Sequence, residues 1–412
     1  MCDFLRRALG AFVLLLLVSC TERARIEPGV YRAVLTLPGG ELPFGLELKQ
    51  EGNGLVAYLI NGSERVRVPD VKTNGRRIDM NMPGFGNRLS AKLAHGKLEG
   101  EVVLVKRGMK EQKLPFAAEP NETYRFFKEP TSGNADISGR WAVTFKDANG
   151  KETPAVGEFK QSFHEVTGTF LTETGDHRYL AGEMRSDELY LSTFDGAHAY
   201  LYRAQVSPTG ELKGQYWSGL SSVEGWIGRH DEQASLADPD TLTTIRDDTW
   251  SFGFTFPDET GKPVSLADER FRKKVMIVAL GGSWCPNCHD EVAFLAPLYK
   301  QYRDKGVEIV ELMFEHSGDF EPAAKAVASM RAKFGVEYTT LIAGISDKDD
   351  ASTKLPQLSG IYAFPTTLFV DRKGRVRRIY TGFSGPATGT HYEKLTASFI
   401  ETLESLLAEN AS

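Results

Sequence analysis

Two cysteines separated by two residues form the part of this sequence best suited to chemistry. Cys285 and Cys288 flank Pro286 and Asn287, and a pair at this spacing can form and break a disulfide between its own sulfurs. The chain has 4 cysteines, and the other two, Cys2 and Cys20, lie in the N-terminal segment. Within the mature globular part, the pair therefore has no other thiol partner.

The elements around the pair indicate which cysteine reacts. The apolar run at 275–280 predicts a buried strand, and a helix is predicted over about 286–305. Unpaired N–H groups and the helix dipole stabilise a thiolate at a helix N-terminus. We therefore predict that Cys285 is the nucleophile and that Cys288, one turn later, resolves a mixed disulfide.

A zinc site and two unrelated buried thiols are the other interpretations of the pair. A tetrahedral zinc site needs two more ligands, and the sequence has no second CxxC and no HxxxH among its 8 histidines. Redox chemistry without a metal is therefore favoured.

His289 follows the second cysteine directly. A protonated His289 can favour the thiolate, although an exposed helix histidine is the preferred interpretation of this residue.

Residues 1–19 predict an export signal. An apolar run at 11–18, too short to span a bilayer, follows two arginines and ends in Leu17-Val18-Ser19-Cys20. That tetrapeptide resembles the bacterial lipobox, whose cysteine is lipidated and becomes the new N-terminus. A plain signal peptide with a chance cysteine is the alternative.

The lipobox predicts a location as well as a modification. Acyl chains on Cys20 would anchor the protein to a membrane of the bacterial cell envelope, with residues 20–27 as a tether and the protein facing the periplasm. Thr21 follows the cysteine where an aspartate is associated with inner-membrane retention, so the outer membrane is favoured. In that oxidising compartment, a thiol pair used for reduction needs a source of electrons.

Composition excludes one class of function. The net charge is -6 and the sequence pI is about 5.9, so the chain lacks the basic surface that nucleic-acid binding requires. At 412 residues, it is long enough for two or three domains with their own apolar cores.

The sequence before the cysteine pair predicts antiparallel β structure. Turn signals such as Asn53-Gly54 and Asn74-Gly75 separate short alternating segments. The two halves of this region also resemble each other, since Gly29-Val30-Tyr31-Arg32-Ala33 corresponds to Gly139-Arg140-Trp141-Ala142-Val143. We therefore expect two tandem all-β antiparallel modules, at 28–127 and 128–234, each barrel-like or a sandwich.

The last part of the chain predicts a different fold. Residues 235–248 are polar and acidic, as in a linker, and strand and helix patterns alternate over residues 249–412. The final helix has an apolar stripe made of Leu395, Phe399, Leu403 and Leu406. The predicted α/β domain, a mixed sheet flanked by helices, has an order that resembles that of thioredoxin.

A second motif lies about eighty residues after the cysteines. Phe364-Pro365-Thr366 precedes a predicted strand, and a proline that opens a strand beside an active site is a plausible cis residue. Without the cysteine pair, a trans proline at the strand start would be the preferred interpretation.

Together these residues resemble the exported, membrane-tethered disulfide reductases of the TlpA/ResA type. The resemblance rests on Ser283-Trp284-Cys285-Pro286-Asn287-Cys288, on Glu291 and on 364–371 followed by Gly374. It implies that the two cysteines form the redox disulfide and that Glu291 handles protons near the thiols. A solvated helix carboxylate is the alternative for Glu291, and the adjacent Asp290 is interpreted as one. The resemblance also implies that Pro365 is cis beside the cysteines, and that Trp284, Phe364 and Thr366 contact an extended substrate segment.

The expected function is that of a thiol:disulfide oxidoreductase that reduces exported proteins and is recharged by a membrane electron donor, with no cofactor. A peroxiredoxin-like peroxidase is one alternative, but Gly282 stands where that family needs threonine or serine. A lipid-anchored binding protein is another. Its β modules hold aromatic residues, which we interpret as core in preference to ligand contacts: Tyr31, Trp141, Trp217 and Trp226.

Overall fold

The computed structural model of the chain describes residues 25–129, 131, 135–246 and 252–409. The predicted signal segment and Cys20 lie outside the described residues. The remainder forms two antiparallel β modules followed by a thioredoxin-like α/β domain, the order that the sequence predicts. Within the described ranges, the helices are all too short or too polar to cross a lipid bilayer.

Module 1 is an antiparallel meander. Its strands are β1 (Gly29–Leu37), β2 (Gly40–Glu51), β3 (Gly54–Asn61), β4 (Glu64–Val68), β5 (Asp70–Asn74), β6 (Arg77–Asn81), β7 (Arg88–Ala94), β8 (Lys97–Lys106) and β9 (Lys110–Pro120). Their order in the sheet is β4-β3-β2-β1-β9-β8-β7-β6-β5. Pairing of β1 with β9 joins the beginning and end of the module, which gives it a barrel-like form.

Module 2 is also an antiparallel meander, but its sheet closes into a barrel. Its strands are β10 (Gly139–Lys146), β11 (Glu152–Ser162), β12 (Glu165–Thr172), β13 (Gly175–Asp176), β14 (Leu180–Arg185), β15 (Glu188–Phe194), β16 (Ala199–Val206), β17 (Leu212–Ser218) and β18 (Ser222–His230). Strand β11 pairs with β10 on one side and with β12 on the other, so eight of the strands form a closed barrel, and the two-residue strand β13 pairs with β12 beside it.

The sequence correspondence between the modules falls on equivalent strands. Gly29 begins β1 and Gly139 begins β10, each the first strand of its module. Alternation along these strands places apolar side chains inside, and the barrel of module 2 is filled by aromatic residues that include Trp141 and Trp226. Tyr31 is also buried, whereas Trp217 is partly buried against the core of module 1. The interpretation of these aromatics as core is therefore confirmed.

The two modules share a core. Phe194 and Leu201 of module 2 belong to the apolar cluster of module 1. Polar contacts also join them, since the Asn61 side-chain amide donates to the Phe194 carbonyl at 2.9 Å and the Ser192 hydroxyl donates to the Pro43 carbonyl at 2.7 Å. The modules therefore form one packed unit.

The α/β domain contains a mixed sheet flanked by helices. Its strands are β19 (Thr255–Pro257), β20 (Pro263–Ser265), β21 (Val275–Gly281), β22 (Val307–Glu315), β23 (Thr339–Ile345), β24 (Thr366–Val370) and β25 (Val376–Thr381). The helices from residue 239 onwards are α1 (Pro239–Leu242), α2 (Pro286–Tyr302), α3 (Phe320–Phe334), α4 (Lys348–Lys354) and α5 (Thr390–Ala408). The segment predicted as a linker thus contains α1, whose Asp240 pairs with Arg378 on β25.

The sheet brings the two sequence motifs together. Its order is β23-β22-β21-β24-β25, with β21 parallel to β22 and antiparallel to β24. Leu280 near the end of β21 lies opposite Thr366 at the start of β24. The cysteine turn that follows β21 and the proline that precedes β24 consequently meet at one edge of the sheet.

Candidate active site

The cysteine pair lies at the N-terminus of α2. Cys285 is the N-cap residue and Pro286 occupies the first helical turn. Backbone N–H groups in that turn have no partner within the helix, so the missing N–H of proline costs no hydrogen bond. The two cysteines are joined in a disulfide, with Cα atoms 5.2 Å apart. Cys285 is 5% exposed and Cys288 is 0% exposed, so the first cysteine is the one that a reaction partner can reach. The Cys288 backbone N–H donates to Cys285 Sγ at 3.2 Å.

The turn before the cysteines is held by a buried carboxyl. Glu315 at the end of β22 accepts from the Ser283 backbone N–H at 2.9 Å and from its hydroxyl at 2.6 Å. Burial raises the pKa of Glu315 to about 7. The Trp284 indole N–H donates to the Phe314 carbonyl at 2.7 Å, which fixes the ring beside Cys285.

The proline motif faces the reactive cysteine. The Phe364–Pro365 peptide bond is cis, and the Phe364 carbonyl oxygen lies 3.6 Å from Cys285 Sγ. The Trp284 and Phe364 rings meet edge to face at 6.0 Å. The buried Thr366 hydroxyl donates to the Ala363 carbonyl at 2.8 Å, so this side chain supports the proline loop from beneath.

Glu291 is buried on the inner side of α2, one turn after Cys288. It is 1% exposed and accepts a hydrogen bond from the Thr367 hydroxyl. Burial raises the pKa of Glu291 to about 7, against the opposing effect of that hydrogen bond. A solvated helix carboxylate, the alternative to a role in proton transfer, is therefore excluded. A carboxyl with this pKa can gain or lose a proton near neutral pH.

Sequence reasoning missed a second buried carboxyl near the thiols. Glu311 lies on β22 opposite Ala279, and a Cβ placed on Gly281 would be 3.4 Å from Cys288 Sγ and 3.5 Å from Glu311 Oε1. The two atoms therefore border the same small space. Burial, together with the charge of Glu291, raises the pKa of Glu311 to about 8. A glutamate within an otherwise apolar strand is the signal that marks it in the sequence.

His289 is not the exposed residue that the preferred interpretation expects. It is 4% exposed, because its ring stacks on Phe85 of module 1 with the ring centroids 4.1 Å apart. Its Nε2 lies 2.7 Å from the Ser283 carbonyl oxygen, and its Nδ1 lies 3.1 Å from Lys333 Nζ. Burial and the Lys333 charge lower the pKa of His289 well below its ordinary value, so a neutral ring docks the helix onto module 1.

Asp290 is likewise not the solvated carboxylate that the sequence indicates. Arg178 of module 2 forms an ion pair with it, and the same guanidinium pairs with Glu64 of module 1 at 3.0 Å and with Asp195 at 3.2 Å. The Arg178 side chain is 9% exposed. One buried cation therefore joins both modules to the helix that carries the cysteines.

The residue between the cysteines is also held by module 2. The Asn287 side-chain amide donates to the Asp176 carboxylate at 3.1 Å, and the Gly385 backbone N–H donates to the same carboxylate at 2.7 Å. Three polar side chains near the start of α2, at 287, 289 and 290, thus contact the β modules. Their partners lie more than a hundred residues earlier in the chain, so the sequence pattern does not reveal them.

A cavity of about 460 Å³ lies over Cys285 at the junction of the modules and the α/β domain. The α/β domain contributes Trp284 and Phe364 to its lining, module 1 contributes the end of β8 and the following turn, and module 2 contributes the segment 172–177. Cavities of this size hold ligands of drug-like dimensions. The reactive cysteine therefore faces a partly open cavity, to whose lining the β modules and the α/β domain both contribute.

Comparison with known proteins agrees with this geometry. Residues 245–395 match the family model described as Redoxin. The chain is 28% identical over 123 residues to the thiol-disulfide oxidoreductase ResA of Bacillus thuringiensis (strain Al Hakam), covering 30% of this chain and 62% of the relative. It is 26% identical over 129 residues to ResA of Bacillus subtilis (strain 168), covering 31% and 64% respectively.

The chain thus spans less than two thirds of the length of these curated relatives. Among solved structures, a thiol:disulfide interchange protein of the thioredoxin family from Chlorobium tepidum TLS is similar at 21% identity and a TM-score of 0.30. The alignment covers 38% of this chain and 95% of that one. All these matches fall short of the full chain.

Proposed function

Starting from the Redoxin domain that residues 245–395 form, we propose that this protein is a thiol:disulfide oxidoreductase that reduces disulfides of exported proteins. The observation that supports the proposal most strongly is the arrangement around Cys285. A slightly exposed sulfur at a helix N-terminus lies 3.6 Å from the carbonyl that precedes a cis proline, with a second cysteine buried behind it.

The first step is attack by Cys285 on the substrate disulfide. The Cys285 thiolate, stabilised by the N-terminus of α2, displaces one substrate sulfur and forms a mixed disulfide with the other. The displaced sulfur leaves as a thiolate and takes up a proton. Backbone groups beside Phe364 are placed to pair with an extended substrate segment, because the proline at the next position opens β24 beside Cys285.

The second step is resolution by Cys288. Its thiol must lose a proton before its sulfur can attack Cys285 Sγ, and Glu291, buried one turn away with a pKa of about 7, is positioned to take it. Attack forms the Cys285–Cys288 disulfide and releases the second substrate sulfur as a thiolate. In total, two electrons pass from the cysteine pair to the substrate, which leaves the protein oxidised.

Each turnover therefore consumes the dithiol. A reductant with a dithiol of its own must return two electrons by the reverse exchange, and for an exported protein that donor would be held in the membrane. The direction of electron flow in the cell depends on the potential of this donor. Reduction is the proposed direction because the motifs around Cys285 and Pro365 resemble those of the TlpA/ResA-type disulfide reductases.

Membrane attachment through Cys20 is part of the proposal. Lipidated protein would sediment with the envelope membranes and would carry acyl chains at the new N-terminus. Cys20→Ser, which removes the lipidated sulfur, is expected to release the protein into the soluble periplasmic fraction. Wild-type protein that is soluble and unacylated after export would contradict the anchor and leave the redox proposal intact.

The structure weighs against the two alternative functions. A side chain at Gly282, where the peroxiredoxin family needs threonine or serine, would overlap the Trp284 indole and lie 2.7 Å from the Phe314 carbonyl oxygen. For a binding protein, the barrel of module 2 offers little room, because aromatic side chains fill it. As for the zinc alternative, the described residues contain no group of three or more metal-binding side chains.

Trapping in the native host tests the proposed function. Cys288→Ala removes the resolving thiol, so substrates are expected to remain disulfide-linked to Cys285 and to be identified by mass spectrometry. Cys285→Ala is the matched control, because it leaves one thiol at the buried position and should trap nothing. If the Cys288→Ala protein traps no more partners than this control, the assignment fails.

A further inference from the structure

The cavity over Cys285 is bordered by elements from all three parts of the molecule. The turn after β8 is fixed to the α/β domain by the Gly108 N–H, which donates to the His316 carbonyl at 2.9 Å, and by the ion pair of Arg107 with Asp347. On the other side, Tyr362 donates to Glu173 of module 2. These contacts hold both β modules beside Cys285, so we expect a short flexible segment to reach the sulfur more readily than a folded protein surface does.

Two lysines bring positive charges to this cavity. Lys106 at the end of β8 and Lys348 at the start of α4 both line it. Two carboxyl groups, those of Asp176 and Glu315, also line it. The Lys348 ammonium lies 5.7 Å from the centre of the Tyr362 ring, which keeps it at the cavity wall.

The carboxylates near these lysines are bound elsewhere. Asp347 pairs with Arg107, Asp195 pairs with Arg178 at 3.2 Å, and Glu315 accepts two hydrogen bonds from Ser283. The Asp176 carboxylate accepts from the Asn287 side-chain amide and from the Gly385 backbone N–H. Within the part of the chain that the structure describes, no ion pair neutralises the two cavity lysines. Desolvation lowers the pKa of both ammonium groups, against the opposing charge of Asp195 at Lys106 and together with the charge of Lys151 at Lys348.

Apolar and aromatic side chains also line the cavity near the cysteine. Trp284 and Phe364 flank Cys285, and Met109 and Phe85 of module 1 belong to the same lining. Aromatic side chains and two cations in one lining match a short peptide whose cystine contacts the aromatic residues and whose carboxylates reach the lysines.

We propose that the cavity is a substrate site for a short, flexible disulfide segment that bears carboxylates, and that Lys106 and Lys348 set this preference. The inference rests on the proposed function and specifies its substrate class. The exchange is the one described above: the substrate S–S bond breaks, the Cys285–Cys288 bond forms, and both substrate sulfurs leave as thiols. The segment can be a free peptide or the flexible end of a longer chain.

Two peptide probes test the preference. Both are hexapeptides closed by an internal disulfide, one with glutamates between the cysteines and the other with glutamines at the same positions. Second-order rate constants for oxidation of the reduced full-length protein are measured by stopped-flow fluorescence, in which Trp284 beside Cys285 reports the reaction. We expect the acidic peptide to react about tenfold faster at low salt, and the advantage to shrink at high salt.

Lysine variants assign the effect to the cavity. Lys106→Gln and Lys348→Gln are each expected to reduce the ratio of acidic to neutral rate constants about threefold, and the double variant to bring it close to one. Lys110→Gln is the matched control, because this exposed lysine begins β9 but does not line the cavity. Lys373→Gln, at the far end of β24, is a second control.

The outcomes separate the inference from the proposed function. A ratio near one in the wild-type protein, or a ratio that the double variant leaves unchanged, overturns the carboxylate preference while disulfide exchange stands. If neither peptide oxidises the wild-type protein faster than it reacts with the Cys285→Ser variant, the proposed thiol:disulfide oxidoreductase function fails. Attaching the acidic peptide to the end of a carrier protein tests whether the flexible end of a longer chain is a substrate. A rate below that of the free neutral peptide would exclude chain ends as substrates.

Discussion

At the scale of single residues, the site is asymmetric. Cys285 is slightly exposed, as its proposed attack on the substrate requires, whereas Cys288 is fully buried beside Glu291 and Glu311. Burial raises the pKa of both carboxyls, and the charge of Glu291 raises that of Glu311 further. The sulfur that must be deprotonated inside the protein thus has proton acceptors that operate near neutral pH, although solvent cannot reach it.

Glu291 gives this arrangement a measurable pH dependence. The proton-accepting carboxylate exists only above the pKa of Glu291, about 7, so the rate of the resolving step should rise through that pH. Glu291→Gln is expected to slow the step by about tenfold to a hundredfold and to remove the inflection. Rapid-quench measurement of mixed-disulfide decay between pH 5 and 9 gives the profile.

Glu401→Gln is the control for that experiment, since this exposed glutamate lies on α5 away from the thiols. Its profile should match the wild type. If Glu291→Gln retains both the inflection near pH 7 and the wild-type rate, Glu291 has no part in proton transfer, and Glu311 becomes the residue to substitute.

At the scale of elements, the turn between β21 and α2 is the critical connection. It packs so closely that Gly282 has no room for a side chain: a Cβ there would overlap the Trp284 indole and approach the Phe314 carbonyl oxygen to 2.7 Å. The hydrogen bond between those two groups fixes Trp284 beside Cys285. Close packing of the turn, rather than backbone conformation, therefore requires glycine.

Gly282→Ala should consequently disturb both folding and exchange. Overpacking of this kind costs about 1 to 3 kcal/mol of unfolding free energy, and displacement of Trp284 should lower the rate of disulfide exchange at the same time. Urea denaturation and a disulfide-reduction assay measure the two effects. Gly253→Ala is the control, because a Cβ on Gly253 has no atom within 4 Å; equal behaviour of the two variants would refute the packing argument.

The sequence predicts much of this element-level structure, and its failures have a physical cause. The apolar run that became β21, the helix after Cys285 and the strand at Thr366–Val370 are all apparent because their side chains pack within one domain. The short helix α4, whose only buried residue is Ala351, has little apolar periodicity and was not predicted. His289 and Asp290 looked solvated because the surfaces that cover them come from distant β strands.

At the scale of the whole molecule, Arg178 connects the parts. Its guanidinium reaches Glu64, Asp195 and Asp290, which belong to module 1, module 2 and α2. A buried cation shared by three carboxylates is expensive to remove, since the partners then remain buried without a counter-charge. The β modules thereby hold the cysteine-bearing helix directly, in addition to forming walls of the cavity.

Arg178→Gln should loosen this assembly. We expect a loss of about 3 to 5 kcal/mol in unfolding free energy, together with faster proteolysis between module 2 and the α/β domain. Arg229→Gln is the matched control, because Arg229 pairs with Glu211 at the surface with 71% of its side chain exposed. Such a pair contributes less than about 1 kcal/mol, so similar losses for the two variants would contradict a linking role.

The asymmetry of the cysteine pair is the central claim, and selective alkylation tests it most directly. The reduced protein is treated with iodoacetamide at pH 6.5, and the modification of each cysteine is followed by peptide mass mapping. We predict that Cys285 reacts much faster than a free cysteine, because the N-terminus of α2 favours its thiolate, and that buried Cys288 remains unmodified. Equal modification of the two cysteines, or reaction of Cys285 at the rate of a free thiol, would contradict the assignment.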